Sequence, residues 1–206
     1  SGARWETFPG AVPTLLRSSG SVGCVRARRG AFSAALGKAL ISSEPPAAWF
    51  WIRPIPPDAT GDWELAALRI PHDGRLYAAE RALRLGATVT QVAAACGIDP
   101  WFIDQIAGLV ELRAELVAAQ ALDEPLLRRA KGAGISDQQL AALRGELTEP
   151  DVAALRHRLG VRPVYKTVDT CAAEFADRTP YHYSTYESDP PAEPDVREQP
   201  DPPQVI

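Results

Sequence analysis

Methionine is absent from all 206 residues and the first residue is Ser1, so we expect a processed product or, more specifically, a piece of a longer polypeptide. Cysteine is scarce. Cys24, Cys96 and Cys171 are an odd number at wide spacing with no CxxC pair, which argues against a disulfide framework and for a reducing, cytoplasmic setting. Long apolar runs are also missing: each is broken by Arg, Asp or Gly well before the roughly 18 residues that a membrane span needs. No basic segment precedes an apolar one at the start, so neither export nor membrane insertion is expected. Nor is there a surplus of positive charge. The 22 basic and 26 acidic side chains leave −4, whereas a dedicated nucleic-acid binder carries a basic balance. His72, His157 and His182 form no HxH or HxxxH pair, which excludes the usual spacings of a metal site.

What is present is enough to fold. Apolar residues at 46% and charged residues at 23% suit a core of one or two domains. Charge is distributed unevenly. Residues 1–57 carry seven basic and two acidic groups, +5, whereas residues 187–206 carry six acids and only Arg197, −5. The end of the chain, SDPPAEPDVREQPDPPQVI, has six prolines and few apolar residues, so it cannot offset its own ordering entropy and reads as an extended linker. Its last residues, Val205 and Ile206, look like the opening of a strand. Near the start, AFSAALGKALI sets Phe32, Leu36, Ala39 and Leu40 at helix spacing. Five prolines between Glu44 and Pro57 surround AWFWI and predict an irregular connector, with Trp49, Phe50 and Trp51 docked on the core.

Residues 62–160 read as consecutive helices with their own start and stop signals. Asp73 can cap a helix bearing Leu76, Ala79 and Leu83, closed by Gly86. Thr88 and Gln91 have capping-box spacing, and Gly97 can take the left-handed closing position. Asp99 and Pro100 then open a long helix with Ile103, Ile106, Val110 and Val117 inward and Leu109 and Leu116 beside them. We also expect Trp101 and Phe102 to be buried in this core. The pattern recurs: Asp123 before Pro125, a stop near Gly134, a Ser136/Gln139 box, a short helix to Leu143, then Thr148 and Pro150 opening a helix that ends at Gly160. The expected fold is therefore all-α, two similar helical subdomains, with short strand-like segments near residues 161–186, at VRPVYKTV and YHYSTY.

Several constellations invite a chemical reading. TVTQVAAACGIDPWFI has the outline of a DNA-reading helix-turn-helix, making a free-standing DNA-binding or adaptor protein the alternative. Its exposed start would present Asp99, Pro100, Trp101, Phe102 and Asp104, with no cation before Arg113, the wrong sign for phosphates. A packed helical corner is the simpler reading. Cys171, with Asp169 and His182 nearby in sequence, contains the types for a thiol nucleophile and base, yet an Ala-flanked cysteine also suits a small buried hydrophobe. SVGCVRARRG lacks GxxxxGK[ST] and reads as a solvated basic loop. Glu111 and Glu115, near Arg113 and Arg128, read as an ordinary charged helix face. Tyr165, Tyr181, Tyr183 and Tyr186 are four of the five tyrosines within 22 residues, a concentration that suits an interface or packing against a neighbouring domain.

The run RPVYKTVDTCAAEFADRTPYHYSTYE resembles the large chain of carbamoyl-phosphate synthase. RLYAAERALRLGATVTQVAAACGIDPWFIDQI resembles the segment that precedes it, and FPGAVPTL with AFSAALGKAL resembles the end of the first ATP-grasp synthetase unit. The resemblance covers about residues 5–187 and implies a division into four parts. These are residues 1–43, the end of that unit; 44–61, a Pro/Trp-rich connector; 62–187, a helical oligomerisation domain; and 188–206, a disordered acidic linker toward a second synthetase half. It implies a parent ligase that makes carbamoyl phosphate with ATP and Mg, no catalytic, cofactor-binding or metal-binding residue in this stretch, and a fragment inactive alone. The implied partners are the synthetase halves of the parent chain, a glutaminase small subunit and further copies of itself, with no nucleic acid and no membrane. The candidate interface or packing residues are Trp101, Phe102, Tyr165, Lys166, Asp169, Cys171, Glu174, Tyr181, Tyr183 and Tyr186. The sequence departs from the family between Leu15 and Gly30, where SGSVGCVRARRG keeps Ser21, Val22 and Gly23 but has Gly20 and Cys24 in place of Lys and Glu.

Overall fold

The computed structural model describes residues 31–42, 50–51, 55–72, 74–168 and 181–186. Eight helices and one strand pair occur among them: α1 (Phe32–Ser42), α2 (Gly61–Leu68), α3 (Arg75–Arg84), α4 (Val89–Cys96), α5 (Pro100–Ala118), α6 (Glu124–Gly132), α7 (Asp137–Arg144), α8 (Glu149–Arg158), β1 (Val164–Val168) and β2 (Tyr181–Thr185). The fold is mostly helical, as expected from the apolar periodicity. No described helix is long and apolar enough to cross a membrane. The chain divides into two compact units. One holds the described residues between 36 and 119, the other those at 31–35 and from 120 onward.

In the first unit α3 packs against α2, α4 and α5. Ala78, Ala79 and Ala82 are almost fully buried, so α3 meets its neighbours through small side chains, and Leu68, Val92, Ala93 and Ile103 complete the core. Thr60 caps α2 by accepting from the Trp63 N–H. Phe50 is docked as expected: it is buried and meets Tyr77 edge-on at 5.7 Å. Trp51 is half-buried, and Trp49 lies outside the described residues. The start of α3 is one correction: its N-cap is Gly74, with no side-chain cap bond, and Asp73 lies outside the described residues.

The inward face of α5 is a second correction. Ile103, Ile106, Leu109, Leu112 and Leu116 are buried, each contributing about 1.5–3 kcal/mol. Val110 is only half-buried. Val117 is 49% exposed, because one step beyond Leu116 rotates about 100° off the stripe. Trp101 and Phe102, expected in the core, are 53% and 41% exposed. They occupy the first turn, ahead of Ile103, where the buried stripe begins.

The second unit repeats the backbone of the first. A constant offset of 48 residues relates the run from the end of α3 through α4 to the run from the end of α6 through α7. Ala87 N–H donates to Ala82 O at 3.0 Å, and Ile135 N–H to Ala130 O at 3.0 Å. Gly86 and Gly134 are both left-handed, at φ 94° and 86°. Thr88 and Gln91 form a reciprocal capping box, and so do Ser136 and Gln139. Gly97 and Gly145 close the short helices, both at φ 69°. Burial follows the same register: Ala82 with Ala130, Val92 with Leu140 and Ala93 with Ala141 are all buried. One inserted residue later, Ile103 and Val152 are buried in α5 and α8. The helix–turn–helix outline at α4–α5 is thus the corner of a module used twice.

After α8, β1 and β2 pair antiparallel, with Val164 opposite Thr185, Tyr165 opposite Ser184, Lys166 opposite Tyr183, Thr167 opposite His182 and Val168 opposite Tyr181. The two strand-like stretches read from alternation are therefore partners.

Candidate functional site

Two features can bear on recognition: an exposed aromatic pair on α5 and a set of buried charge clusters. The Asp99 carboxylate accepts from the Trp101 N–H at 2.9 Å and Pro100 sets the first turn, which fixes the direction of the next side chains. The Trp101 and Phe102 rings meet edge-to-face, with centroids 5.0 Å apart at 85°. The repeat supplies an internal comparison. In register with Ile103 and Val152, the places of Trp101 and Phe102 are taken in α8 by Pro150 and Asp151. The Asp151 carboxylate accepts from the Thr148 hydroxyl and N–H, which hold it below its ordinary range. The module therefore opens its last helix with a polar first turn in one copy and an apolar one in the other. Starting the helix does not require the aromatics.

Among its described residues the first unit holds two charge clusters. Arg81 of α3 donates from Nε and Nη2 to the two oxygens of Glu64, at 2.5 and 3.0 Å, and Glu64 is fully buried. Glu80 is also buried, with Arg84 Nη1 3.3 Å from Oε1. Burial raises the Glu80 carboxyl above its ordinary value, and the positive charges of Arg84, Arg113 and Arg81 oppose that shift. Arg113 is half-buried, with its Nε covered, which departs from its reading as part of a charged surface. Arg128 does behave as a surface residue, pairing with Glu124 one turn away.

Among the described residues of the second unit, a cluster forms around Asp137. Asp137 takes Lys131 Nζ at 2.8 Å on one oxygen and Arg156 Nε at 3.2 Å on the other. Tyr186 closes it, with Lys131 Nζ 5.4 Å and Arg156 Cζ 5.8 Å from its ring centroid. Burial pushes the Lys131 ammonium down, and Asp137 pulls it back up. A Cβ on Gly132 would lie 3.2 Å from the Tyr186 carbonyl oxygen, so glycine lets the end of the hairpin approach α6.

The sequence candidates thus separate. Trp101 and Phe102 are brought together in the first unit. In the second, Lys166 and Tyr183 are cross-strand neighbours, Tyr165 is 48% exposed opposite Ser184, and Tyr186 joins the Asp137 cluster. Tyr181 sits in β2 opposite Val168. Asp169, Cys171 and Glu174 lie outside the described residues, as does the SVGCVRARRG segment. Sequence reading missed Glu64, Glu80, Arg81, Arg84, Lys131, Asp137 and Arg156. The only local signal was the four-residue spacing of Glu80 and Arg84. Among the described residues no group of three or more His, Cys, Asp or Glu side chains is arranged to hold a metal ion.

Comparison with known proteins follows the same lines. Residues 28–160 match the family described as the carbamoyl-phosphate synthetase large chain, oligomerisation domain. The chain is 58% identical over 203 residues to the carbamoyl phosphate synthase large chain of Mycobacterium sp. (strain JLS), covering 98% of this chain and 18% of that one. It is 56% identical to that of Mycobacterium tuberculosis (strain ATCC 25618 / H37Rv), with the same coverage. The large chain from Corynebacterium glutamicum is 48% identical over 201 residues, 95% of this chain and 18% of that one. The chain therefore spans about 18% of the length of these relatives. With the match extending over more than half of its residues, the chain belongs to the family of carbamoyl-phosphate synthetase large-chain oligomerisation domains.

Proposed function

We propose that this chain works as the helical connection and self-association domain of a longer carbamoyl-phosphate synthase large chain. In that reading residues 1–43 complete a first synthetase half, 44–61 connect it, 62–187 form the oligomerisation domain, and 188–206 lead to a second half. The partners are those two halves, a glutaminase small subunit and further copies of the same chain, in the cytoplasm. ATP and Mg would serve the synthetase halves, and no residue of this chain is assigned to them. The observation that carries the proposal is the exposed Trp101–Phe102 pair, at a place where the second copy of the module carries Pro150 and Asp151. An exposed aromatic pair at places that the second copy fills with Pro150 and Asp151 suits contact with another surface.

A chimera tests the connecting role. This chain is exchanged for the matching segment of the Mycobacterium tuberculosis relative, and carbamoyl-phosphate formation and assembly mass are compared with those of a flexible Gly/Ser replacement of equal length. The chimera is expected to retain both properties and the flexible replacement to lose them. Equal activity and mass in the two would contradict a role for the helical domain.

A further inference from the structure

The two copies of the helical module differ at four places that come together in the second unit. In the register that pairs Ala82 with Ala130 and, one inserted residue later, Ile103 with Val152, Lys131 stands where the first copy has Leu83. Asp137 stands in place of Val89, Arg156 in place of Ala107 and Gly132 in place of Arg84. The first copy thus fills with an apolar trio, Leu83 and Val89 packing against its core, the half-buried places where the second copy sets its ion cluster.

All four differences meet one structure, the base of the β1–β2 hairpin, where Val164 faces Thr185. Arg156 holds both sides of that base. Its Nη1 donates to the Val161 carbonyl, just ahead of β1, at 3.3 Å, and its Cζ lies 5.8 Å from the ring centroid of Tyr186, just past β2. Lys131 Nζ lies 5.4 Å from the same centroid, and Asp137 binds the two cations, one on each carboxylate oxygen. Gly132 admits the Tyr186 carbonyl oxygen, 3.2 Å from where a Cβ would stand. Two cations against one carboxylate leave a positive charge, which the negative face of an aromatic ring attracts. A two-stranded sheet is marginal alone, so an anchor at its base decides whether it stays formed.

We propose that Tyr186 and the Lys131–Asp137–Arg156 cluster form a latch that clamps the base of the hairpin to the second module, so that the hairpin opens and closes as a unit while the helices stay folded. The ion pairs of Asp137 lie wholly among α6, α7 and α8, and they survive opening. Only the contacts to the hairpin are lost. Closed, the latch fixes the point from which the residues after Tyr186 leave the module. This inference stands apart from self-association through Trp101 and Phe102, since every residue of the latch lies in the second unit.

Amide hydrogen exchange of the 206-residue chain tests the latch, read separately in the two strands and in α7. Three variants are compared with the native chain: Tyr186→Leu, Tyr186→Phe, and Lys131→Leu/Asp137→Val/Arg156→Ala, which gives the seat the residues of the first copy. Tyr186→Leu keeps apolar bulk but loses the ring, so the strand amides should exchange about tenfold faster or more, while Leu140 and Ala141 of α7 keep their native rates. Tyr186→Phe keeps the ring and should retain native rates throughout. The triple variant should release the strands as Tyr186→Leu does. Native strand rates in Tyr186→Leu or in the folded triple variant would overturn the proposal. So would equal acceleration of the strands and α7 in Tyr186→Leu, or a Tyr186→Phe that behaves like Tyr186→Leu. If the triple variant does not fold, the two Tyr186 variants decide the question alone.

Discussion

Arg81 grips both oxygens of Glu64 across 17 residues of sequence, joining α3 to α2 through a carboxylate that water does not reach. Breaking such a pair leaves an uncompensated buried charge, whereas replacing both partners with apolar groups removes the desolvation cost as well. Arg81→Leu should therefore lower stability by about 3 kcal/mol, and Glu64→Leu/Arg81→Leu should regain most of that. Urea unfolding of the single and double variants measures the difference. A double variant no more stable than Arg81→Leu would show that the bond matters through its geometry rather than through the stranded charge.

The two left-handed glycines should respond unequally to alanine. Gly86 and Gly134 share the backbone conformation, and a side chain there costs about 1–2 kcal/mol. A Cβ on Gly86 meets open space, but one on Gly134 would lie 2.9 Å from the Ala34 Cα of α1. Gly134→Ala should thus destabilise more than Gly86→Ala, by about a further 1 kcal/mol or more of overpacking. Equal losses in chemical denaturation would mean that α1 yields without cost.

The duplicated capping boxes offer a matched pair. Thr88→Ala and Ser136→Ala each remove the side-chain acceptor for an N3 amide and should cost about 1 kcal/mol apiece. Hydrogen exchange should report the loss first at the amides of Gln91 and Gln139. A loss confined to one of the two variants would contradict their structural equivalence.

Acid titration should separate two carboxylates by sign. Burial raises Glu80 above its ordinary value of 4.5, so between that value and its folded midpoint the native state holds a proton that the unfolded chain has released. Its contribution to stability is therefore greatest below 4.5 and falls as pH rises through the folded midpoint. Asp151 has the opposite sign. Its contribution is present above 3.8 and is lost as pH falls through its depressed folded midpoint. Carboxyl carbon-13 NMR should place the Glu80 midpoint above 4.5 and that of Asp151 below 3.8. Reversed order would contradict the burial of Glu80.

Local chemistry was the legible part of this fold. A Thr88–Gln91 box, a closing Gly97 and an Asp99–Pro100 start each lie within a few residues, so their geometry follows from the chain alone. The recurrence of the module was legible for the same reason, through the Ser136–Gln139 box and the stop near Gly134. Exposure on α5 was not, since Trp101 and Phe102 have the apolar character of core residues and only tertiary packing decides which turn is covered. The charge clusters were hidden by distance. Asp137 stands in the first turn of α7, yet its partners are 6 and 19 positions away. Arg113 looked like a surface cation, yet its Nε is covered by packing that local sequence does not reveal.

Self-association through the aromatic end of α5 is tested most directly by light scattering across a concentration series, with the native chain beside Trp101→Gln/Phe102→Asp. The double variant gives α5 a polar first turn of the kind α8 already uses. Its new carboxylate at the third helical position is placed to accept from the Asp99 backbone N–H, as Asp151 accepts from that of Thr148, so the variant should fold. The native chain is expected to rise above its monomer mass of 22.2 kDa as concentration increases, while the variant stays at that mass. A native chain that remains at 22.2 kDa throughout, or a variant that associates equally well, would contradict the account.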